Sequence, residues 1–305
     1  MSVSFCGLAL AHSIINGSGT FDAIAANRAF AEDLRIDFPF AAYVSKTITL
    51  TPREGNPPPR LWEAAAGLIN SIGLPNKGLE GYLAEDLPKL TRMRTGAGPG
   101  AERLLVPVVT NVMGSTTLEF SKLVEACDAR EEIAALELNV SCPNVKTGLD
   151  IGADPLQLEL LVRAVRGLTR KPLIVKLTPN TADVAACAEG AQAGGADAVS
   201  LINTLRAMAL TPPAPARAAD RRAWLGGRTG GLSGPAIRVI ALAQVAAVAE
   251  RVAIPVIGMG GVQCGAHAKE LIDVGAVLVA VGTESFREPA AGARIAAELE
   301  AIGTS

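Results

Sequence analysis

The feature that most restricts the fold is a rhythm. Between residues 104 and 302 a short apolar run rich in Val, Ile and Leu is followed, again and again, by a longer segment rich in Ala, Leu, Glu and Arg. The runs are Leu104–Val109, Ala134–Val140, Leu173–Leu177, Ala198–Ile202, Ile254–Ile257 and Val277–Val281. The segments between and after them are Thr117–Glu132, Pro155–Thr169, Thr181–Ala193, Pro235–Arg251, Gly265–Val274 and Pro289–Ile302. Short β-branched runs that alternate with helix-length segments predict βα units with parallel strands. Further runs near Ala42, within Phe38–Val44, and near Leu68 bring the strand count to about eight, the number of a (β/α)8 TIM barrel.

A doubly wound open sheet is the competing α/β architecture, and the polar residues separate the two. Lys46, Asn70, Asn111, Asn139, Lys176, Asn203, Gly258 to Gly261 and Gly282-Thr283 all fall at or just past the C-terminal end of an expected strand. In a barrel those ends meet at one mouth, whereas in an open sheet they spread along an edge. The expectation is one (β/α)8 barrel domain over residues 1–305 with its active-site loops at that mouth. Two stretches break the rhythm, Thr211 to Arg222 and Gly226 to Gly234, and read as a long mobile loop over the mouth or as a plain surface linker.

With 305 residues, 49% hydrophobic and 19% charged, the composition is that of a soluble globular protein with an ample core. The formal net charge of −2 and the lack of a Lys/Arg stripe argue against a nucleic-acid surface. Five scattered cysteines without a CxxC pair read as free thiols in a reducing compartment. No apolar stretch reaches the length that spans a bilayer, so the expected location is cytoplasmic, without a membrane anchor. HExxH and acidic ligand clusters are missing, so no catalytic metal is expected, and His12 and His267 lie near no motif.

Chemistry concentrates where Leu136–Val140 runs into Ser141-Cys142-Pro143-Asn144. Pro143 cannot continue a central strand, so Cys142 sits on a loop at a strand's C-terminal end. A lone cysteine there reads as a small buried hydrophobe. Bracketed by Asn139 and Asn144, whose planar amides suit a ring of alternating carbonyl and N–H groups, it reads as a general base, with Ser141 competing for that role. Lys176 ends an otherwise apolar strand; it is either paired with a neighbouring carboxylate or a cation set beside the electron-rich edge of a reduced flavin. Gly258-Met259-Gly260-Gly261 and Gly282-Thr283, on consecutive late strands, offer backbone N–H groups to a phosphate-bearing cofactor. Asn16-Gly17-Ser18-Gly19-Thr20 is a weaker signal of the same kind.

These residues resemble a known family. Asn139-Val140-Ser141-Cys142-Pro143-Asn144, together with Asn70-Ser71-Ile72-Gly73-Leu74-Pro75-Asn76, Ser45-Lys46-Thr47, Gly230-Gly231-Leu232-Ser233-Gly234-Pro235 and Gly258-Met259-Gly260-Gly261, is similar to the class 1 dihydroorotate dehydrogenases. The resemblance runs from about Ser18 to Phe286. It implies an FMN-bearing (β/α)8 barrel, a flavoprotein oxidoreductase that oxidises dihydroorotate to orotate in pyrimidine biosynthesis. By that resemblance Cys142 is the base at C5 while hydride passes from C6 to flavin N5, with Lys46 and Lys176 also catalytic. Lys46, Asn70, Gly73, Leu74, Asn139, Asn144, Asn203 and Thr204 hold the pyrimidine and its carboxylate. Ser18, Lys46, Asn111, Asn139, Lys176, Gly234, Gly260, Gly261, Gly282 and Thr283 hold FMN.

Gly55-Asn56-Pro57-Pro58-Pro59-Arg60 and Asn203-Thr204-Leu205 resemble the B type of class 1, which implies a homodimer that recruits a subunit carrying FAD and an iron–sulfur cluster so that NAD becomes the acceptor. Thr211 to Arg222 departs from that type in being richer in Pro, Ala and Arg. The rival readings are another FMN barrel acting on a dihydropyrimidine or on tRNA dihydrouridine, a flavin-free barrel using Lys176 as a Schiff base, and a non-catalytic partner-binding barrel.

Overall fold

The computed structural model describes residues 2–30, 38–91, 106–141, 151–211 and 222–303. Its strands, in chain order, are β1 (Val3–Phe5), β2 (Leu8–Leu10), β3 (Ile14–Asn16), β4 (Tyr43–Val44), β5 (Leu61–Ala64), β6 (Gly67–Asn70) and β7 (Val108–Val112). They continue with β8 (Ile133–Asn139), β9 (Leu173–Lys176), β10 (Ala198–Leu201), β11 (Leu205–Ala207), β12 (Gly230–Ser233), β13 (Val256–Met259) and β14 (Leu278–Val281). Eight of them form one sheet in the order β3-β14-β13-β10-β9-β8-β7-β4, and each paired neighbour runs parallel. This is the expected (β/α)8 barrel.

The two end strands, β3 and β4, are stitched together largely by one side chain. Asn16, fully buried, donates from Nδ2 to the Val44 carbonyl at 2.8 Å and accepts the Val44 N–H on Oδ1 at 2.8 Å. One backbone bond, Ala41 N–H to the Ile14 carbonyl at 2.9 Å, completes the seam. A primary amide presents a donor and an acceptor side by side, so it substitutes for a ladder pair where β4 is too short to provide one.

Inside the barrel, Ile15, Val44, Val109, Ala135, Ile174, Ala198, Ile257 and Leu278 point to the axis and form one apolar cluster with Phe5 and Leu10. The β1–β2 hairpin thus caps the N-terminal end of the barrel. Outside, helices pack on the strands through stripes of period 3.6. Thr117–Asp128 buries Phe120, Leu123, Val124 and Cys127, and Pro155–Arg166 buries Leu158, Leu161, Val162 and Val165. Each begins at a side-chain cap: Thr116 accepts from the Glu119 N–H, and Asp154 accepts from those of Leu156 and Gln157.

A second sheet, β11-β12-β6-β5, is antiparallel and stands beside the barrel mouth. Here the structure corrects several expectations. The run near Leu68 is not a barrel strand. A turn at Ala65-Ala66 splits it into the β5–β6 hairpin, and β3 takes its place in the barrel. Gly226 to Gly234 is not simply loop, because Gly230–Ser233 is a central strand of this second sheet. Its glycines have a steric reason: a Cβ on Gly230 would lie 2.4 Å from the Asn70 carbonyl oxygen, and one on Gly231 only 1.8 Å from Thr204 Oγ1. Of Phe38–Val44 only Tyr43 and Val44 pair as strand. Of the run expected at Leu104–Val109, Leu104 and Leu105 lie outside the described residues; the strand there is Val108–Val112, so Asn111 lies within β7 rather than beyond it. Residues 212–221 of the Thr211–Arg222 stretch lie outside the described residues, while its ends are pinned by Thr211 N–H to the Arg222 carbonyl at 2.8 Å.

Asn16→Ala leaves the Val44 N–H and C=O unpaired in the seam, and is expected to lower unfolding stability by roughly 2–5 kcal/mol. Urea denaturation followed by circular dichroism measures this; a loss below about 1 kcal/mol would show that the seam does not depend on the amide.

Candidate active site

The C-terminal ends of the barrel strands surround a cavity of about 370 Å³. Ser18 comes from the end of β3, Lys46 from that of β4, Asn139 from β8 and Lys176 from β9. Asn203 and Thr204 follow β10, Gly260 and Gly261 follow β13, and Gly282 and Thr283 follow β14. The second sheet contributes Asn70 and, beyond its strands, Gly73, Leu74 and Gly234. Residues far apart in sequence thus line one space. Asn111 is fully buried on β7 and does not reach the lining. Cys142 and Asn144 lie outside the described residues.

A chain of hydrogen bonds fixes the polar wall. Asn203 Nδ2 donates to Ser141 Oγ at 2.7 Å, Ser141 Oγ donates to Asn139 Oδ1 at 2.9 Å, and Asn139 Nδ2 donates to Thr47 Oγ1 at 3.1 Å. Ser18 Oγ donates to the Ser45 carbonyl at 2.8 Å, which ties the β3 end to the β4 end. Asn139 therefore has its amide orientation set from both sides. Ser141 is fully buried, absent from the lining, and has its hydroxyl committed in both directions. That placement corrects its candidacy as a base: it is a bracket behind the wall.

The glycines clear the opposite wall. Gly260 and Gly261 have φ of 130° and 72°, and a Cβ on Gly261 would stand 2.7 Å from the Arg238 Cβ. A Cβ on Gly282 would meet only Thr20 Cγ2 at 3.7 Å and would stand toward the cavity instead. Gly73 and Leu74 are both left-handed, at φ 76° and 57°. For Leu74 this conformation costs roughly 1–2 kcal/mol, borne by a loop that lines the cavity.

Two lysines supply positive charge. Lys176 is 6% exposed and makes no ion pair or hydrogen bond among the described residues. The carboxylate on the neighbouring strand, Glu137, is instead held by Asn111 Nδ2 and by Ser200 Oγ at 2.7 Å. Of the two roles open to Lys176 from sequence, pairing with a neighbouring carboxylate is therefore not the one seen. Lys46 reaches into the cavity, where desolvation lowers its pKa below the usual lysine range; Asp22 opposes the shift and Arg60 adds to it. Sequence reasoning missed Thr47, Ile202, Gln263 and Glu284 in the lining. Thr47 was legible as the last polar residue of Ser45-Lys46-Thr47, but Ile202 carries no signal that separates a cavity wall from core. His12 and His267 accept backbone N–H groups of Ile14 and Gln263 and stay outside the cavity.

The family profile described as Dihydroorotate dehydrogenase matches residues 1–302. The chain belongs to the dihydroorotate dehydrogenase family. Relatives named "Dihydroorotate dehydrogenase B (NAD(+)), catalytic subunit" include that of Pelobacter propionicus, 42% identical over 301 residues, covering 98% of this chain and 92% of the relative. That of Geobacter sulfurreducens is 41% identical with the same coverage, and that of Desulforudis audaxviator is 42% identical over 303 residues, covering 98% and 91%. As a member of the dihydroorotate dehydrogenase family the chain is an enzyme, an oxidoreductase of class 1. Among the described residues no helix is long and apolar enough to cross a membrane, and no cluster of metal-ligating side chains occurs.

Lys46 and Lys77 are shifted in opposite directions, since hydrogen bonds to Asp86 and Glu85 raise Lys77. A lowered pKa means a larger neutral fraction at a given pH below it, so Lys46 is expected to acylate several-fold faster than Lys77 near pH 8.5. Timed acetic anhydride labelling with peptide mass spectrometry measures this, and equal rates would contradict the desolvation of Lys46. The same shift makes the folded state bind this proton more weakly than the unfolded chain. The resulting penalty is full below the folded-state pKa and is relieved as pH rises through it towards the unfolded value.

Proposed function

We propose that this chain is the catalytic subunit of a B-type dihydroorotate dehydrogenase, which oxidises (S)-dihydroorotate to orotate in de novo UMP synthesis and carries FMN. The observation that carries the reading is the composition of the mouth: glycine-lined backbone on the β13 and β14 side, and amides with two lysines around the rest. The names of relatives about 40% identical over nearly the whole chain support it.

The groups present fit FMN. Lys46 and Lys176 bring two cationic side chains to the lining of one cavity, which suits an anionic cofactor. The space that a Cβ on Gly282 would occupy is clear, and Gly234, Gly260 and Gly261 leave their backbone free to approach a phosphate. Of the residues expected to hold the cofactor, Ser18, Lys46, Asn139, Lys176, Gly234, Gly260, Gly261, Gly282 and Thr283 line the cavity and would hold it, while Asn111 lies behind the lining. FMN, when bound, supplies the acceptor for the hydride that leaves C6 of the substrate.

The chain's own residues do the rest. Asn70, Asn139, Asn144, Asn203 and Thr204 orient the pyrimidine by donor and acceptor pattern, with the Gly73-Leu74 backbone closing over it. The Lys46 ammonium faces the substrate carboxylate. Cys142 follows directly on Ser141, whose clamp between Asn139 and Asn203 fixes where the loop starts. As thiolate, Cys142 takes the C5 proton, and the C5–H electron pair forms the C5=C6 double bond as hydride departs from C6. Lys176, in a nearly dry setting, offers its ammonium to the negative charge that develops there. A partner subunit bearing FAD and an iron–sulfur cluster would supply the route to NAD, and the catalytic chain would work as a cytoplasmic homodimer.

Adding dihydroorotate anaerobically to the purified yellow protein is expected to bleach its visible band, with NAD restoring it only when the partner subunit is present. A band that persists would make dihydroorotate the wrong substrate. Cys142→Ala is expected to retain flavin and lose about 100-fold or more of turnover near neutral pH. Undiminished turnover in that variant would remove the cysteine from the chemistry.

A further inference from the structure

Where the barrel passes into the second sheet, the chain has little slack. β10 ends at Leu201 and β11 begins at Leu205, and the short link between them carries Asn203 and Thr204, which line the cavity. The second sheet hangs from this link at its β11 end, and through β6 it brings Asn70 to the same cavity. Two bonds tie the first half of the link to the barrel. The Asn203 N–H donates to the Leu177 carbonyl at 3.3 Å, and Asn203 Nδ2 donates to Ser141 Oγ at 2.7 Å. Neither of them fixes β11.

The second half is held by a side chain that does not line the cavity. Asn180 lies on the loop that follows β9 and Lys176. Its Nδ2 donates to the Thr204 carbonyl at 3.0 Å and to Thr178 Oγ1 at 3.1 Å, while its Oδ1 accepts the Arg206 N–H at 2.8 Å. The Asn180 N–H donates to the same Thr178 hydroxyl at 3.1 Å, and Thr178 is fully buried. The amide is thus rooted in the barrel.

In a strand the C=O of one residue and the N–H two residues on face the same edge. The order β11-β12-β6-β5 puts β11 at the end of the second sheet, so the Thr204 carbonyl and the Arg206 N–H stand on its free edge. There the Asn180 amide takes the place of a neighbouring strand. One orientation alone serves, because exchanging Oδ1 with Nδ2 would set acceptor against acceptor and donor against donor. Arg206 is exposed, so water replaces a lost bond there at little cost in stability, and what the clamp contributes is geometry.

We propose that Asn180 is a positioning residue: by clamping both polar groups on the free edge of β11 it fixes the Asn203-Thr204 link and the second sheet over the mouth, and so sets how tightly the site holds its pyrimidine. This rests on the function proposed above. It adds a residue that neither lines the cavity nor touches the substrate.

The test compares the FMN-loaded wild type with Asn180→Ala and with Thr178→Val, which removes the hydroxyl that steadies the amide at nearly constant volume. Residue-resolved hydrogen exchange without substrate reads the clamp. Titration with orotate, followed by the change in the flavin spectrum, reads the site. In Asn180→Ala the Arg206 amide is expected to exchange roughly tenfold faster. Kd for orotate is expected to rise about tenfold, while the affinity for FMN stays within about twofold of wild type and the urea midpoint barely moves. Thr178→Val shows smaller changes in the same directions. Unchanged orotate affinity in whichever variant folds overturns the proposal, and so does fast Arg206 exchange in the wild type. A parallel loss of FMN and orotate affinity with a lowered urea midpoint, or failure of both variants to fold, marks a purely structural residue and overturns it equally. A wild type that takes up no FMN, or takes FMN but no orotate, overturns the functional reading and the proposal with it, whereas the other outcomes leave that reading intact.

Discussion

A parallel barrel escapes the hazard of a free edge only if its first and last strands are joined, and here that junction hangs on the carboxamide of Asn16. β4 contributes two paired residues to the sheet, too few to support a ladder on both sides. The amide takes both polar groups of Val44, so the seam closes where chain pairing runs out. Directly after these strands come Ser18 and Lys46, and the Ser18 hydroxyl bonds the Ser45 carbonyl just above the seam. The interaction that closes the barrel therefore also sets two neighbouring walls of the cavity at a fixed separation.

Along the axis the barrel changes character once. Below the level of Glu137 the interior is apolar, from Ile15, Ile174 and Ile257 down to the Phe5 and Leu10 plug. From Glu137 upward it is polar: Asn111 and Ser200 on the carboxylate, then Asn139 and Lys176, then the open cavity. Polar groups at the end of a buried strand are expensive unless each is bonded, and most of these are, in one connected set. The N-terminal half of the barrel is thus a packed support, and the C-terminal half is a rigid frame for a ligand. The division matches the general placement of active sites at the C-terminal face of such barrels.

Much of this was legible from the chain because the relevant signals are local. Six βα units announced themselves through period and length, and polar residues that end apolar runs marked the mouth. What could not be read were features set by pairing partners. Leu68 has the composition of a buried strand, but its partners are Trp62 and Leu232 in an antiparallel sheet, and no local pattern reveals that. Ile14–Asn16 is only three residues long and opens onto glycines, so it reads as part of a turn although it is a barrel strand. Gly230 and Gly231 look like loop residues until the strand that crowds them is known. Ser141 and Cys142 offer a hydroxyl and a thiol side by side as candidate bases, and only the bonds from Asn203 and to Asn139 show that the Ser141 hydroxyl is committed elsewhere. Glu137 carried no signal, since a single acid within an apolar run does not say which way it faces.

The same polar half explains why the protein and its ligand must be considered together. The Asn111 carbonyl oxygen is buried with no partner among the described residues, and a group in that condition opposes folding, whereas Lys176 opens onto the cavity. Leu74 holds a left-handed backbone that a leucine disfavours. A ligand that brings negative charge to Lys176 at the cavity wall would be favoured there. A ligand that binds only the folded chain stabilises it in proportion to the logarithm of its concentration over Kd. Folding and the binding of a ligand in this cavity are therefore linked in one equilibrium.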